Sequence, residues 1–324
     1  MNETVSLNLE TIPEKLAWLE ERYWRFGQDD VLSGYLEDLF EVDDDGRMTS
    51  SPRCDPLTGE TSGLMLLGGS GDGKTALLNR TLRANPVLTE FTKNQPGNTL
   101  FITVPPEATI KKLAEIILGK TGYEKVDPRM RAADAWEISR HRFGLVGIKT
   151  VVIDECHHIL RSGTGRDVPA AIQSLKHIMQ CESGVALVIA GVPTLRDAIM
   201  SEPSGETYRR FTECYLPKIP LGSNSARLFG VNFTRSAEKV GVKVDVDDAF
   251  VERILFAEHG RVGRSVKLGK EILRNAVIRK RVALELEHAE HIFRKGKGDI
   301  GVTPFHPTSW GTVKRELEAI GWGQ

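Results

Sequence analysis

Apolar residues along the chain follow two rhythms. Between residues 63 and 217 short, nearly unbroken apolar runs recur: GLMLL (63–67), TLFITV (99–104), TVVID (150–154), VALVIA (185–190) and the short CYLP (214–217). A strand with one face in water would alternate apolar with polar, so continuous runs predict strands buried on both faces. Lys74 to Arg83 reads as a helix directly after the first run. Ile110, Leu113, Ile116 and Ile117 mark a second helix over 108–118, closing at Gly119, and 168–180 reads as a third. Strands separated by helices predict a parallel sheet covered on both sides.

After Pro220 the strand rhythm stops. Residues 225–240, 246–259 and 262–294 read as helices forming a small lid, and the tail opens with glycines and prolines and ends in one short helix. Ahead of the core, Ile12, Leu16, Leu19 and Tyr23 recur at helical spacing behind Thr11-Ile12-Pro13, a helix start. Residues 46–63, rich in Ser, Pro, Thr and Gly, read as a loop. The predicted layout is a helical N-terminal segment (1–48), an α/β core (49–220), a helical lid (221–299) and a tail (300–324).

Composition narrows the class. With 324 residues, 40% of them hydrophobic, the chain can bury a sizeable core. No apolar run approaches the roughly 20 residues that span a bilayer. The N-terminus MNETVSLNLETIPEK lacks the basic start and apolar stretch of a secretory signal, so no membrane association and a cytoplasmic location are expected. Cys54, Cys156, Cys181 and Cys214 fall in no CxxC or Cys/His ligand pair, so buried free thiols are expected rather than zinc or disulfides. The net charge of −1 hides an asymmetry. Residues 1–48 hold 13 acidic and 4 basic side chains, and 261–298 hold 11 basic against 4 acidic. The basic stretch fits a face for phosphates or a polyanion, and equally a solvated helical face with nucleotide-contacting arginines.

The first run ends at GGSGDGKT, a full match to G-x-x-x-x-G-K-[ST]. A chain of this length carries such an octapeptide by chance roughly once in a hundred, and here it follows a predicted strand and opens a predicted helix, as the motif requires. Gly68, Gly69, Ser70, Gly71, Asp72 and Gly73 let the backbone wrap closely so that successive N–H groups face phosphate oxygens. Ala76 lies in the first helical turn, whose N-terminus favours anions. Lys74 is expected to reach the β- and γ-phosphates, and the Thr75 hydroxyl to ligate Mg²⁺. The third run ends in Asp154 and Glu155, 80 residues after Lys74. Asp154 is expected to hold Mg²⁺ and Glu155 to take a proton from the attacking water, which favours ATP hydrolysis over phosphate transfer to a small molecule. His157 fits either a coupling role or a buried structural one. Past the fourth run, where a polar γ-phosphate sensor is expected, stands Val192, with Thr194 as the substitute. Arg209 and Arg210, ahead of the last run, are candidates for reaching a neighbouring subunit's site, with Arg210 preferred. Arg264, beside a glycine at a helix start, is the candidate nucleotide contact from the lid, ahead of Arg261.

The succession GGSGDGKT, ITVPPEATIKKLAEIILGKTGY, VVIDECHHIL, IAGVPTLRDAI, YRRFTECYLP and GRVGRSVKLGKEIL resembles the TniB/TnsC group of AAA+ ATPases that regulate DNA transposition. Val104-Pro105-Pro106-Glu107-Ala108-Thr109 with Lys111-Lys112 is its most specific stretch, and Thr303-Pro304-Phe305 resembles a motif near the group's C-terminus. The resemblance spans roughly residues 10–310. It implies a P-loop sheet of order 5-1-4-3-2 with a small helical lid. It further implies ATP-dependent assembly of a homo-oligomeric ring or filament on double-stranded DNA, recruitment of a transposase and an adaptor protein, and disassembly on hydrolysis. Lys111 and Lys112, then Arg140 and Arg142, are the DNA contacts it suggests, and Val192 departs from the threonine usual at the sensor. Competing readings are a helicase loader or a replication initiator, the initiator being expected to add a separate DNA-reading domain; an ATP-driven assembly switch with little turnover; and a small-molecule kinase, disfavoured by Glu155, Arg209/Arg210 and Arg264.

Overall fold

The computed structural model describes residues 9–123, 126–127, 129–161, 167–180, 184–244, 249–295, 297 and 301–322. Cys181 and residues 246–248 of the expected lid helix lie outside these. The chain forms two compact units, one of residues 28–216 and one of residues 1–27 with 217–324. Residues 1–48 therefore contribute to both.

Helix α1 (Ile12–Glu21) begins as the sequence suggested, with a reciprocal cap: the Glu14 N–H donates to Thr11 Oγ1 (3.4 Å), and the Glu14 carboxylate accepts from the Thr11 N–H (2.9 Å). Those bonds hold the Glu14 carboxyl below the usual range. Helix α2 (Gly27–Glu37) leads into a hairpin of β1 (Phe40–Val42) and β2 (Met48–Pro52). The second strand, MTSSP, replaces part of the expected loop. Its polar residues carry no alternation, and its pairing comes from the partner strand rather than from any apolar face.

The core sheet contains β3 (Gly63–Leu67), β4 (Thr99–Thr103), β5 (Thr150–Asp154), β6 (Ala186–Gly191) and β7 (Phe211–Tyr215), all parallel, in the order β4-β5-β6-β3-β7. Counting the five strands by sequence, that is 5-1-4-3-2, as expected. Every residue of β3, β5 and β6 is buried, because both faces are covered. Leu64, Leu66, Val152, Val188 and Ala190 pack on one face with Leu32 and Leu36 of α2 and with Leu77, Leu78 and Leu82 of α3 (Lys74–Ala84). Met65, Leu67, Val151, Ile153 and Ile189 point the other way, against α4 (Ile110–Lys120), α5 (Ala132–Val146), α6 (His157–Arg161), α7 (Asp167–Ile178) and α8 (Thr194–Met200). The two-residue strand period is thus present, but both phases are apolar and the sequence shows only a run. Helix α5 has no counterpart in the sequence reading. Its inward residues Ala135, Trp136, Ser139 and Phe143 dilute the apolar stripe with small and polar side chains. The last strand begins three residues earlier than CYLP, at Phe211, whose ring covers Gly63 so closely that a Cβ there would stand 2.6 Å from it.

The other unit joins α1 to α9 (Asn224–Val240), α10 (Phe250–Ala257), α11 (Val262–Ile278), α12 (Leu286–Arg294) and α13 (Trp310–Ala319). Its core gathers Leu19, Trp24, Phe229, Phe233, Phe250, Ile254, Leu273, Phe293 and Phe305. The single helix expected over 262–294 is two, divided at Lys280, which takes a left-handed φ of 53°. The intervening Ala283 bridges back to Lys243. The Thr303-Pro304-Phe305 segment is gathered by Arg253, which is 1% exposed and donates to the carbonyls of Pro304 (2.7 Å), His306 (3.1 Å) and Thr308 (3.3 Å).

Candidate functional site

The ends of β3, β5 and β6 bring the two sequence motifs together at one edge of the sheet. After Leu67 the chain turns through Gly68–Gly73 into α3, with Gly71 and Gly73 at φ 85° and 93°. A side chain is strained in that region, which is why these positions call for glycine. The Gly68 N–H donates to the Gly191 carbonyl (3.2 Å) and the Cys156 N–H to the Ala190 carbonyl (2.8 Å), so the loop and the acidic strand are both pinned to β6. Lys74 is 4% exposed and its Nζ donates to the carbonyls of Gly68 (3.0 Å) and Gly69 (3.1 Å). The Asp72 carboxylate accepts from the Gly69 N–H. Ser70, Gly71 and Ala76 are exposed around this turn.

Across the edge, the Thr75 hydroxyl donates to Asp154 Oδ2 at 2.5 Å. Asp154 is wholly buried, and its other oxygen accepts from the Glu155 N–H (2.9 Å). Burial raises its carboxyl above the ordinary carboxylate range, against the lowering effect of Thr75, the Glu155 N–H and the Lys74 charge. A hydroxyl and a buried carboxylate converging from two elements, with a lysine close enough to bias that carboxylate, form a hard-oxygen set suited to a divalent cation such as Mg²⁺. Glu155 itself has a left-handed φ of 55° and turns its carboxylate out of the strand, where it is one-third exposed and lies 3.2 Å from His157 Nδ1. The His157 and His158 rings lie 4.2 Å apart between centroids, tilted by 38°. Burial pushes the Cys156 thiol well up and the Cys214 thiol up to about 11, so both are inert apolar packing at neutral pH.

The remaining candidates are placed as follows. Thr194 is exposed in the first turn of α8, and Val192 is half-buried, with its carbonyl accepting from the Leu195 N–H (2.8 Å). Arg209 and Arg210 sit in a short 3₁₀ turn immediately before β7, at the opposite edge of the sheet from the glycine loop. Burial distinguishes the two. Arg210 is 8% exposed and ion-paired with Glu60, whereas Arg209 is open to solvent. The turn is held by the Tyr208 hydroxyl on Glu213, which also accepts from Arg196 (2.8 Å). Arg264 is exposed in the first turn of α11, in the other unit.

The four suggested DNA contacts lie on two helices. Lys111 and Lys112 lie in the first turn of α4, just past the end of β4 and so on the glycine-loop edge. Arg140 and Arg142 lie late in α5, towards the start of β5. Arg142 is committed to structure: its guanidinium donates to the carbonyl of Thr121, the last turn of α4. Among the described residues no helix is long and apolar enough to cross a membrane.

A model of the family described as "Bacterial TniB protein" matches residues 15–220, which include the whole sheet and both motifs. No curated protein matches the chain. Among solved structures it is similar to the Aeropyrum pernix ORC1 protein in complex with DNA (17% identity over 86% of this chain and 68% of that one, TM-score 0.58). It is likewise similar to Cdc6p from Pyrobaculum aerophilum (12% identity over 88% and 72%, TM-score 0.60) and to the Drosophila ORC bound to DNA (11% identity over 92% and 68%, TM-score 0.53). At these identities the likeness is one of fold.

Proposed function

The chain belongs to the family of bacterial TniB proteins, and from that premise we propose that it is a Mg²⁺-dependent ATP hydrolase that assembles on double-stranded DNA and regulates transposition. The observation that carries the catalytic part is the approach of Thr75 Oγ1 to Asp154 Oδ2 at 2.5 Å, with Glu155 next in the chain. The loop N–H groups of Gly68–Gly73 and the ammonium of Lys74 bind the triphosphate, Lys74 exchanging its carbonyl partners for phosphate oxygens. Thr75 and Asp154 hold Mg²⁺, which supplies neutralisation of charge on the phosphoryl oxygens. Glu155 accepts the proton of the water that attacks the γ-phosphorus, while the bond to the leaving ADP oxygen breaks. Thr194 serves as the sensor hydroxyl and Arg264 as a nucleotide contact.

Arg209, exposed and beyond hydrogen-bond range of the chain's own loop, reaches the triphosphate of a neighbouring subunit in a ring or filament. The buried partner of Glu60, Arg210, holds the turn that presents it. Lys111 and Lys112 contact DNA phosphates without reading sequence, as suits a protein that marks many targets. A transposase and an adaptor protein are the partners recruited to the assembly, and hydrolysis resets it.

Mobility shift of duplex DNA with ATP, ADP and no nucleotide tests this. Binding is expected with ATP and not with ADP, and Lys74→Ala removes the ATP effect. Equal binding in all three conditions contradicts the proposal. Glu155→Gln separates it from an assembly switch without turnover: complexes should become long-lived as hydrolysis stops, whereas unchanged lifetimes favour the switch.

A further inference from the structure

We propose that His157 is a positioning residue for Glu155, a role that rests on the hydrolytic part assigned to that carboxylate above. Three observations converge on it. The first is that the Glu155 backbone is fixed in a strained conformation. Its φ of 55° is a region that non-glycine residues rarely adopt, and the conformation is over-determined by neighbouring bonds. The Glu155 N–H donates to Asp154 Oδ1 (2.9 Å), the His158 N–H to the Glu155 carbonyl (3.0 Å) and the Cys156 N–H to the Ala190 carbonyl (2.8 Å). Strain of this kind persists where the surroundings impose it, and it aims this side chain out of the strand.

A fixed backbone leaves the carboxylate free about its own side-chain torsions. The second observation is what lies beside it: His157 Nδ1, 3.2 Å from Glu155 Oε2, on an imidazole that is itself 5% exposed. The third is why that imidazole is there. Gly191, the last residue of β6, leaves a space in which a Cβ would stand 3.3 Å from His157 Nδ1. The same Gly191 accepts from the Gly68 N–H at the root of the phosphate loop. The His158 ring lies against the imidazole, tilted by 38° with centroids 4.2 Å apart. The imidazole is thus seated between the acidic strand and the strand that anchors the loop, with one nitrogen at the catalytic carboxylate. Nδ1 is buried and makes no hydrogen bond at the present angle; a small turn of the Glu155 carboxylate would let an Nδ1–H donate to it and limit its rotation, the base-orienting arrangement of hydrolytic sites generally. Contacts of this type are often poorly aligned before substrate binds and tighten in the complex.

The chemistry predicts which replacements restore the function. Asparagine carries an amide N–H where histidine has Nδ1, glutamine's lies nearer Nε2, and alanine has none. In steady-state ATP turnover by the full chain with duplex DNA, His157→Ala should lower kcat at least about tenfold while MgATP affinity stays within about twofold. His157→Asn should recover most of that loss and His157→Gln much less. In a Glu155→Gln background, His157→Ala should change the residual kcat by less than about twofold, because the histidine acts through the carboxylate. The role is overturned if His157→Ala leaves kcat intact, if Asn is no better than Ala, or if the two losses multiply in the double variant. A wild-type chain without any MgATP turnover overturns the hydrolytic reading itself, which is a separate result.

Discussion

Adjacent residues of one type in this chain stand in opposite environments, and only burial tells them apart. Arg209 and Arg210 are chemically identical in the sequence, yet one guanidinium is in solvent and the other is sealed against Glu60. Arg209→Ala is therefore expected to leave the thermal midpoint within about 1 °C while lowering ATP turnover of the DNA-bound assembly by about a hundredfold or more. Arg210→Ala should instead destabilise the fold by about 2–3 kcal/mol, since it leaves Glu60 without its ion-pair partner. Comparing thermal midpoints with turnover in the two variants checks this, and the reverse pattern would restore Arg210 to the catalytic role. Lys74, Thr75, Asp154 and Glu155 needed no structure to be singled out, because their chemistry is tied to backbone positions that the motif spacing fixes. The neighbours that decide geometry were invisible. Nothing about Glu60 or Gly191 in the sequence points to Arg210 or His157, which lie 150 and 34 residues away. The bond from Arg142 to the Thr121 carbonyl was invisible in the same way.

At the scale of elements, legibility followed the strength of the local signal. The strands with both faces buried announced themselves as apolar runs, and even their spatial order followed from the family resemblance. The β1–β2 hairpin and α5 did not. A five-residue polar strand is defined by its partner, and a helix whose inward face includes Ala135 and Ser139 shows little period. Helix breaks set by backbone conformation, such as the turn at Lys280, also leave no apolar trace. Two element-level consequences can be measured. In β3, a Cβ at Gly63 would stand 2.9 Å from the Leu187 carbonyl as well as against the Phe211 ring. Gly63→Ala should therefore push β6 or β7 aside and cost about 1–3 kcal/mol in urea denaturation, and a neutral effect would mean the sheet has slack there. Among the C-terminal residues, burial lowers the pKa of His259, in the turn after α10, and of His288 in α12. The unfolded chain, with histidines titrating near about 6.5, binds more protons than the folded one just below that pH. The stability from these two groups is full above that pH and is lost as pH falls. A denaturation midpoint lower at pH 5.5 than at pH 7.5 is expected. The loss should precede that from Glu14, Asp55 and Asp134, whose lowered carboxyl pKa values act only at more acid pH.

For the whole molecule, the proposal joins a nucleotide site to a polyanion through assembly. Lys111 and Lys112 share the sheet edge that carries the phosphate loop, so their contact with DNA is expected to be electrostatic and independent of base sequence. Replacing both with Ala should weaken DNA binding on all duplexes alike and flatten its dependence on salt by about two charges' worth. An unchanged salt slope would place the DNA surface elsewhere, with the basic stretch 261–298 the next region to test. The claim beneath all of this is that Gly68–Thr75, Asp154 and Glu155 form one MgATP-hydrolysing site. Its most direct test is MgATP binding and turnover measured side by side for the wild-type chain, Lys74→Ala and Glu155→Gln. Binding with turnover, loss of binding, and binding with turnover reduced at least about a hundredfold are expected, respectively. A wild-type chain that binds no MgATP, or a Glu155→Gln variant that hydrolyses it at the wild-type rate, would contradict it.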